Sequence, residues 1–449
     1  MPDVWHLELT KGLETGEAPL HSWWTVLDDP KLTELIERGA QGNLDLKMAF
    51  ARLKTARSTL GIAESSRYPI VGAAGIAEVI DPGFTALVDV GQIDRKRAGF
   101  DASWEIDLWG RVSRQIESAE ASFEASIENF RDVLVLLYSE IAVNYLQLRS
   151  LQARIRYAES NVQLQQNTLS LTQGLFQAQI TSELDVRQAE LNLERTSSLI
   201  PALRILAERT AYRIAVLLGE QPGALQDELA VESPIPEPPD KVVIDFPAEI
   251  LRQRPDIRRA ERELAAQSAQ IGVATAALYP QFSLSGTLGW ASIRESNIFN
   301  GNRNFWSFGP VFQWDIFNGG LIRNDIEAEK AATEEALAFY ERVVLLAMEE
   351  VESALVGYTQ ELDRRDMLRR SVTAAQRSVE LVETLYRTGV TDFQNVLNMQ
   401  RALVQQQDEL AVSEGKVVEY LVRLYEALGG GWQPTEAGTE PTETSEEGR

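Results

Sequence analysis

Residues 281–290 alternate without a break. Phe282, Leu284, Gly286, Leu288 and Trp290 fall on one face of an extended chain, and Ser283, Ser285, Thr287 and Gly289 on the other. Trp306, Phe308, Pro310, Phe312, Trp314 and Ile316 oppose Ser307, Gly309, Val311, Gln313 and Asp315 in the same way. Phe100, Ala102, Trp104, Ile106 and Leu108 oppose Gly99, Asp101, Ser103, Glu105 and Asp107, and a fourth segment, Ile70 to Val79, is rich in Ala and Gly. A period of two predicts strands, at about 70–79, 98–109, 280–290 and 306–317.

Between these segments the period lengthens. A helix is predicted from about Asn43 to Arg67, stopped at Tyr68-Pro69 because proline has no N–H to continue it. Another runs from near Gly110 to about Gln177. Within it Ile127, Phe130, Leu134, Leu137, Ile141, Tyr145, Leu148, Leu151 and Ile155 recur at steps of three and four, a coiled-coil-like seam. At 1.5 Å per residue such a helix is about 100 Å long. Further helices are predicted over 181–218, 256–278, 321–387 and 392–428. The last is stopped by Gly429-Gly430-Gly431, which lacks the lysine and the helix order of a phosphate loop. The helices 43–67 and 181–218 together nearly equal the long one and could stack end to end beside it. Residues 1–30 read as extended, with Trp23, Trp24 and an Asp28-Asp29-Pro30 turn leading into a short helix.

The plan is stated twice. Asn43-Leu44-Asp45-Leu46 answers Arg254-Pro255-Asp256-Ile257 at an offset of 211, and Tyr68-Pro69 answers Tyr279-Pro280 at the same offset. Trp104 to Trp109 answers Phe312 to Phe317 at 208, and Ile180-Thr181-Ser182 answers Val390-Thr391-Asp392 at 210. Landmarks in one order at nearly one offset mark an internal repeat. The organisation expected is an N-terminal segment with a short helix (1–42), repeat one (43–230), a linker (231–253), repeat two (254–432) and a disordered acidic tail (433–449).

Charge and composition narrow the function. The 43 Lys and Arg against 67 Asp and Glu give a net charge of −24, which argues against nucleic acid and against anionic lipid surfaces. There is no cysteine, so disulfides and thiolate metal sites are excluded. No apolar run approaches the 18–20 residues of a membrane-spanning helix. Met1-Pro2-Asp3-Val4-Trp5-His6 is not a signal peptide, which fits either a cytosolic chain or one that begins at a mature or engineered start. His6 and His21 are the two histidines, too few for a metal centre of their own. No nucleophile, zinc-helix or dinucleotide motif is present. Glu105 and Asp107, on one strand face, could form an acid–base pair, but solvated carboxylates are the simpler reading. An enzyme is not expected, and no cofactor.

The strands can be read in two ways. A small sheet could rest one face on a soluble core. Alternatively, bulky aromatics at the ends of the apolar face could form an outer-membrane girdle, since each segment has about the length of a tilted bilayer-spanning strand. An open four-stranded sheet is impossible in lipid, because its edges would stay unpaired, and the smallest barrel has about eight strands. Lipid-facing strands would therefore require oligomerisation, and three chains would supply twelve.

Trp23-Trp24 before Asp29-Pro30, Arg254-Pro255-Asp256-Ile257-Arg258, Tyr279-Pro280, Asp107-Leu108-Trp109-Gly110-Arg111, and Tyr386-Arg387-Thr388-Gly389-Val390 with Gln400-Arg401 stand in a doubled frame. In this order they resemble the TolC-like outer membrane factor family, in particular the outer membrane subunits of resistance-nodulation-division efflux systems, over roughly residues 22–432. The resemblance implies a mainly α fold with a small β part. Long helices would form a trimeric α-barrel in the periplasm, and four strands per chain would complete a 12-stranded transmembrane β-barrel in the outer membrane. Phe100, Trp104, Phe282, Leu284, Trp290, Trp306, Phe308, Phe312 and Trp314 would face lipid. Gln179, Ile180, Thr181 and Ser182 with Thr388, Gly389, Val390, Thr391 and Asp392 would form the tip that meets a periplasmic adaptor protein. Asp185, Gln394, Asn395 and Asn398 would lie near the pore constriction. Close relatives often have an aspartate where Asn398 stands and a leucine where Gln394 stands, and this chain departs at both. A carboxylate ring is therefore not expected at Asn398, where an amide ring would be polar but uncharged; the alternative is that these residues make polar contacts between helices. Many relatives carry a lipidated cysteine at the mature N-terminus, and this chain has none.

The function implied is a passive exit duct for drugs or other small molecules, working with the adaptor and an inner-membrane pump, without a cofactor. Type I secretion and metal-ion efflux are alternatives within the same fold, although Met48, Met348, Met367 and Met399 are too scattered to suggest a soft-metal path. A soluble coiled-coil scaffold is the alternative of another class.

Overall fold

The computed structural model describes residues 13–16, 20–80, 84–85, 88–89, 93–244, 252–293 and 304–433. His6 and the acidic tail beyond Gln433 lie outside the described residues. The chain forms two compact units, and each draws on both repeats. One comprises the described residues up to Phe50, Asn129–Ile257 and those from Val343 onward; the other comprises Ala51–Glu128 and Arg258–Arg342.

The first unit begins with β1 (Leu13–Thr15), which pairs in parallel with β6 (Val242–Ile244). Leu20–Leu27 is not extended, as the sequence suggested, but a 3-10 helix. Burial of Trp23 drives this: its ring stacks on Tyr425 at 5.6 Å, while Trp24 meets Tyr138 edge-on at 5.1 Å. Helix α1 (Pro30–Gly42) follows, with Asp29 as its cap. One carboxylate oxygen of Asp29 accepts from the Lys31 and Leu32 amides, and the other accepts the Tyr145 hydroxyl at 2.7 Å.

Helices α2 (Leu44–Ser65), α3 (Arg111–Gln177), α4 (Glu183–Ser197), α5 (Leu199–Leu217) and the short α6 (Gln226–Ala230) come from the first repeat. Helices α7 (Pro255–Ala276), α8 (Leu321–Arg387) and α9 (Phe393–Ala427) come from the second. The helix expected over 181–218 is two, α4 and α5. Pro201 explains the break, because it has no N–H to offer the Ser197 carbonyl four residues earlier. Helices α3 and α8 are each 67 residues long and start 210 residues apart.

The seam along α3 is buried in the first unit: Leu137, Ile141, Tyr145 and Leu148 join Leu355 and Tyr358 of α8 and Val418, Leu421 and Tyr425 of α9 in one core. A second core, nearer the hairpins, gathers Leu169, Val186, Leu193, Val382, Tyr386, Phe393, Val396 and Leu397 from α3, α4, α8 and α9.

In the second unit a four-stranded antiparallel sheet is ordered β2 (Ile70–Ile80), β5 (Ile93–Ile106), β7 (Gln281–Ile293), β8 (Asn304–Gln313). A two-residue pair, β3 (Phe84–Thr85) with β4 (Val88–Asp89), lies between the first two strands in sequence. Strand β8 ends at Gln313, so Trp314, Ile316 and Phe317 lie beyond it, and β5 ends at Ile106 rather than running to 109. No described helix is long and apolar enough to cross a membrane.

Strand faces and hairpin tips

The sheet register puts the alternating residues where the pattern required. Phe100 pairs with Leu288, Leu288 with Trp306, Trp104 with Leu284, and Phe282 with Phe312, so one face collects Phe100, Trp104, Phe282, Leu284, Trp290, Trp306, Phe308 and Phe312. That face is open: Trp306 is 75 % exposed, Phe308 71 % and Phe312 67 %. A sheet resting on a soluble core would bury these rings first, so that reading fails. The opposite face carries Ser283, Ser285, Thr287, Ser103 and Asp101, with the Thr287 and Ser307 hydroxyls bonded at 2.8 Å.

The rims facing the helices are fastened by indoles. Trp104 Nε1 donates to the Arg67 carbonyl at 2.9 Å, and Trp314 Nε1 donates to the Leu278 carbonyl at 3.1 Å. These acceptors immediately precede the two Tyr-Pro pairs. The structural offset at this landmark is therefore 210, matching Trp104 with Trp314, and not the 208 of the best local sequence match. Trp109 Nε1 adds a bond to the Pro280 carbonyl at 2.8 Å, and its ring stacks on Tyr279.

Glu105 and Asp107 are committed to structure. Glu105 binds Arg111 through Nε at 2.7 Å, and Asp107 accepts from the Val112 and Ser113 amides and the Ser113 hydroxyl, capping α3. Burial works to raise the Asp107 carboxyl, but the bonds from Ser113 and Val112 outweigh it and hold its pKa below the ordinary aspartate range. Both carboxylates thus serve structural contacts, Glu105 with Arg111 and Asp107 as the cap of α3.

In the first unit, two hairpins join α3 to α4 and α8 to α9, and their turns are built alike. The Ile180 amide donates to the Leu175 carbonyl and the Gln179 amide to Phe176; 210 residues later the Val390 amide donates to Leu385 and the Gly389 amide to Tyr386. Both are Schellman closures with a left-handed residue, Gln179 at φ 61° and Gly389 at φ 73°. Ile180 and Val390 are exposed. Thr181 bonds the Asp185 carboxylate within the first turn, Asp392 caps α9 through the Asn395 amide at 3.2 Å, and Asn395 Nδ2 donates to Thr391 Oγ1 at 2.8 Å. Gln394 Nε2 donates to Asn398 Oδ1 at 3.2 Å, one turn apart on an exposed face. Ser182 and Thr388 are exposed at the turns. Among the described residues no bond joins Asp185 to the amides; each group is satisfied within its own hairpin.

Behind the tips lies a polar layer that sequence reasoning missed. Gln400 of α9 donates to Thr168 of α3 at 2.7 Å and to Glu383 of α8 at 3.0 Å, while Arg401 donates to Asn192 of α4 at 3.2 Å. Asn192 also donates to the Gln400 amide oxygen at 3.4 Å, so four helices share one network centred on the buried Thr168, Asn192 and Gln400. The signal available was Asn161, Gln165, Thr168 and Thr172, which continue the α3 seam at steps of three and four with polar side chains. Among the described residues no group of side chains is arranged to hold a metal ion.

The described family "Outer membrane efflux protein" matches residues 35–220 and again 246–430, two segments that start 211 residues apart and follow the internal repeat. Nodulation protein T of Rhizobium leguminosarum bv. trifolii is 33% identical over 420 residues, covering 93% of this chain and 90% of that protein. The pyoverdine export outer membrane protein OpmQ of Pseudomonas aeruginosa is 31% identical over 435 residues, covering 94% and 90%. The solved structure of the outer-membrane channel OprN superposes with a TM-score of 0.90 at 37% identity, covering 96% of this chain and 98% of that one. The chain therefore belongs to the outer membrane efflux protein family and is a non-enzymatic outer membrane channel of a tripartite efflux pump.

Proposed function

We propose that three copies of this chain form the exit duct, each giving four strands to a 12-stranded barrel. The observation that carries this reading is the sheet itself. It exposes an aromatic face suited to lipid, and it leaves β2 and β8 as edges whose N–H and C=O groups require a partner in a bilayer. Exposed Leu191, Ile205 and Val216 on α4 and α5, and Leu345 and Leu381 on α8, support lateral packing of helices between copies. The polar strand face would then line a water-filled bore.

The turns at Gln179–Ser182 and Thr388–Asp392 are proposed as the docking points for a periplasmic adaptor, which in turn engages an inner-membrane pump. Their exposed Ile180 and Val390 offer small apolar knobs. Asp185, Gln394, Asn395 and Asn398 are proposed to line the constriction, with Gln394 and Asn398 presenting neutral amides to the path. The duct is passive, needs no cofactor and carries small molecules; the pyoverdine export relative supports an organic cargo.

Light scattering with and without detergent tests the assembly. A detergent-dependent particle of three chains is expected. A monodisperse monomer without detergent would overturn the barrel.

A further inference from the structure

The polar face of the sheet changes sign along the strands. Following β5 away from the helices, the residues on this face are Glu105, Ser103, Asp101, Gly99, Arg97 and Arg95. Arg111 neutralises Glu105 at the helix end, and Glu78 of β2 neutralises Arg95 at the far end. Arg97 is treated differently. Its guanidinium carbon lies 4.3 Å above the centroid of the Phe305 ring of β8, two strands away. Among the described residues no carboxylate pairs with it.

The register explains how the stack forms. Phe305 pairs with Gly289 of β7, and Gly289 pairs with Gly99 of β5. A Cβ on Gly289 would stand 3.0 Å from the Phe305 ring and 2.5 Å from the Ala98 carbonyl. With glycine on both strands, the ring can reach across the backbone of β7, and Arg97 closes over it. Its planar head is thereby fixed on an apolar floor, exposed on one side and weakly hydrated. A guanidinium held in this way presents its N–H edge for bidentate recognition of a carboxylate.

We propose that the Arg97–Phe305 stack is an anion-recognition element of the exit lumen, near its far mouth, selecting for solutes that carry a carboxylate. The proposal rests on the trimeric channel reading, under which three stacks form one ring. In a chain of net charge −24, such a ring lowers the barrier that a bore otherwise lined by Asp101 sets against anions.

The test is ion selectivity in planar bilayers across a KCl gradient, with sodium benzoate as the carboxylate probe. Arg97→Gln is expected to raise the potassium-over-chloride permeability ratio about tenfold, since one charge about 6 Å away in water shifts each ion about threefold and in opposite directions. Asp101→Asn should move the ratio the other way. Arg97→Lys should restore the ratio but not the reduction of current by benzoate, because an ammonium lacks the fork. Arg97 is exposed, and the trimer mass of each variant confirms that it still assembles. A conducting Arg97→Gln trimer with wild-type selectivity and benzoate response overturns the proposal alone. A wild-type protein that forms no conducting pore overturns the channel reading and the proposal with it.

Discussion

Asn43 and Arg254, 211 residues apart, make the same joint with different chemistry. The Asn43 amide donates to the Leu217 carbonyl at the end of α5 at 2.8 Å, and the Arg254 guanidinium donates to the Ala427 carbonyl at the end of α9 at 2.6 Å. Asn43 also accepts the Leu46 amide, so one side chain ends α5 and starts α2. The end of α5 thus meets the start of α2, and the end of α9 meets the residue before α7. Asn43→Ala should lower stability by about 2–3 kcal/mol, since it strands two buried backbone groups. Asn43→Asp should be at least as damaging, because it sets a negative charge against the negative end of α5. Arg254 is 7 % exposed and also holds Asp256 and Glu350, so Arg254→Ala should cost about 3–5 kcal/mol. Thermal denaturation in detergent measures all three, and a neutral Asn43→Ala would show that the joint is not stabilising.

The rim of the sheet offers a paired comparison. Trp104→Phe and Trp314→Phe keep an aromatic ring but each removes one indole bond to a carbonyl, Arg67 in one repeat and Leu278 in the other. Each should cost about 1 kcal/mol. The two share no partner, so the double variant should lose the sum. A double variant no worse than either single one would show that the two bonds are not independent anchors.

Much of this fold was readable because periodicity survives whatever the assembly does. The α3 seam from Leu137 to Leu148 follows from burial on one side of a helix, and the alternation from Phe282 to Trp290 from a strand whose two faces carry different chemistry. Strand ends were less legible: Trp314 keeps the alternation after the ladder has stopped, because its indole is wanted at the helix end. The Arg97–Phe305 stack could not be read, since it depends on a register across three strands and on glycines that sequence alone leaves unaligned. The Thr168–Gln400–Glu383 layer left only the spacing of Asn161, Gln165, Thr168 and Thr172 as a signal, because polar residues on a long helix look solvated until the partner helices are known.

Glu426 gives the stability a pH dependence of definite sign. Burial raises its carboxyl above the usual glutamate range, despite a bond from the Ser139 hydroxyl and the nearby charges of Arg423 and Arg254, with Glu350 adding to the rise. The folded state therefore holds this proton more tightly than the unfolded chain. The group's contribution is most favourable below about pH 4.5, the unfolded value, and is lost as pH rises through the folded value. Glu426→Gln, which keeps an acceptor for Ser139 without the charge, should raise Tm at pH 7 and flatten its pH dependence above 4.5. A variant less stable at pH 7 than the wild type would mean that the ion pairing outweighs the burial.

The tips supply the sharpest contrast between the repeats. Gln179 and Gly389 hold the same left-handed place in the same closure, at φ 61° and 73°. A side chain there costs about 1–2 kcal/mol relative to glycine. Open space surrounds Gly389, so any penalty for a larger residue comes from the backbone and not from a clash. Gln179→Gly should therefore tighten the first turn and Gly389→Val should loosen the second, both without loss of trimers. Amide hydrogen exchange at Ile180 and Val390 should slow in the first variant and quicken in the second. If the turns also dock the adaptor, Gly389→Val should impair drug export in cells while Gln179→Gly leaves it intact. Normal export by Gly389→Val, with its turn visibly loosened, would separate tip geometry from transport and remove the second tip from the docking surface.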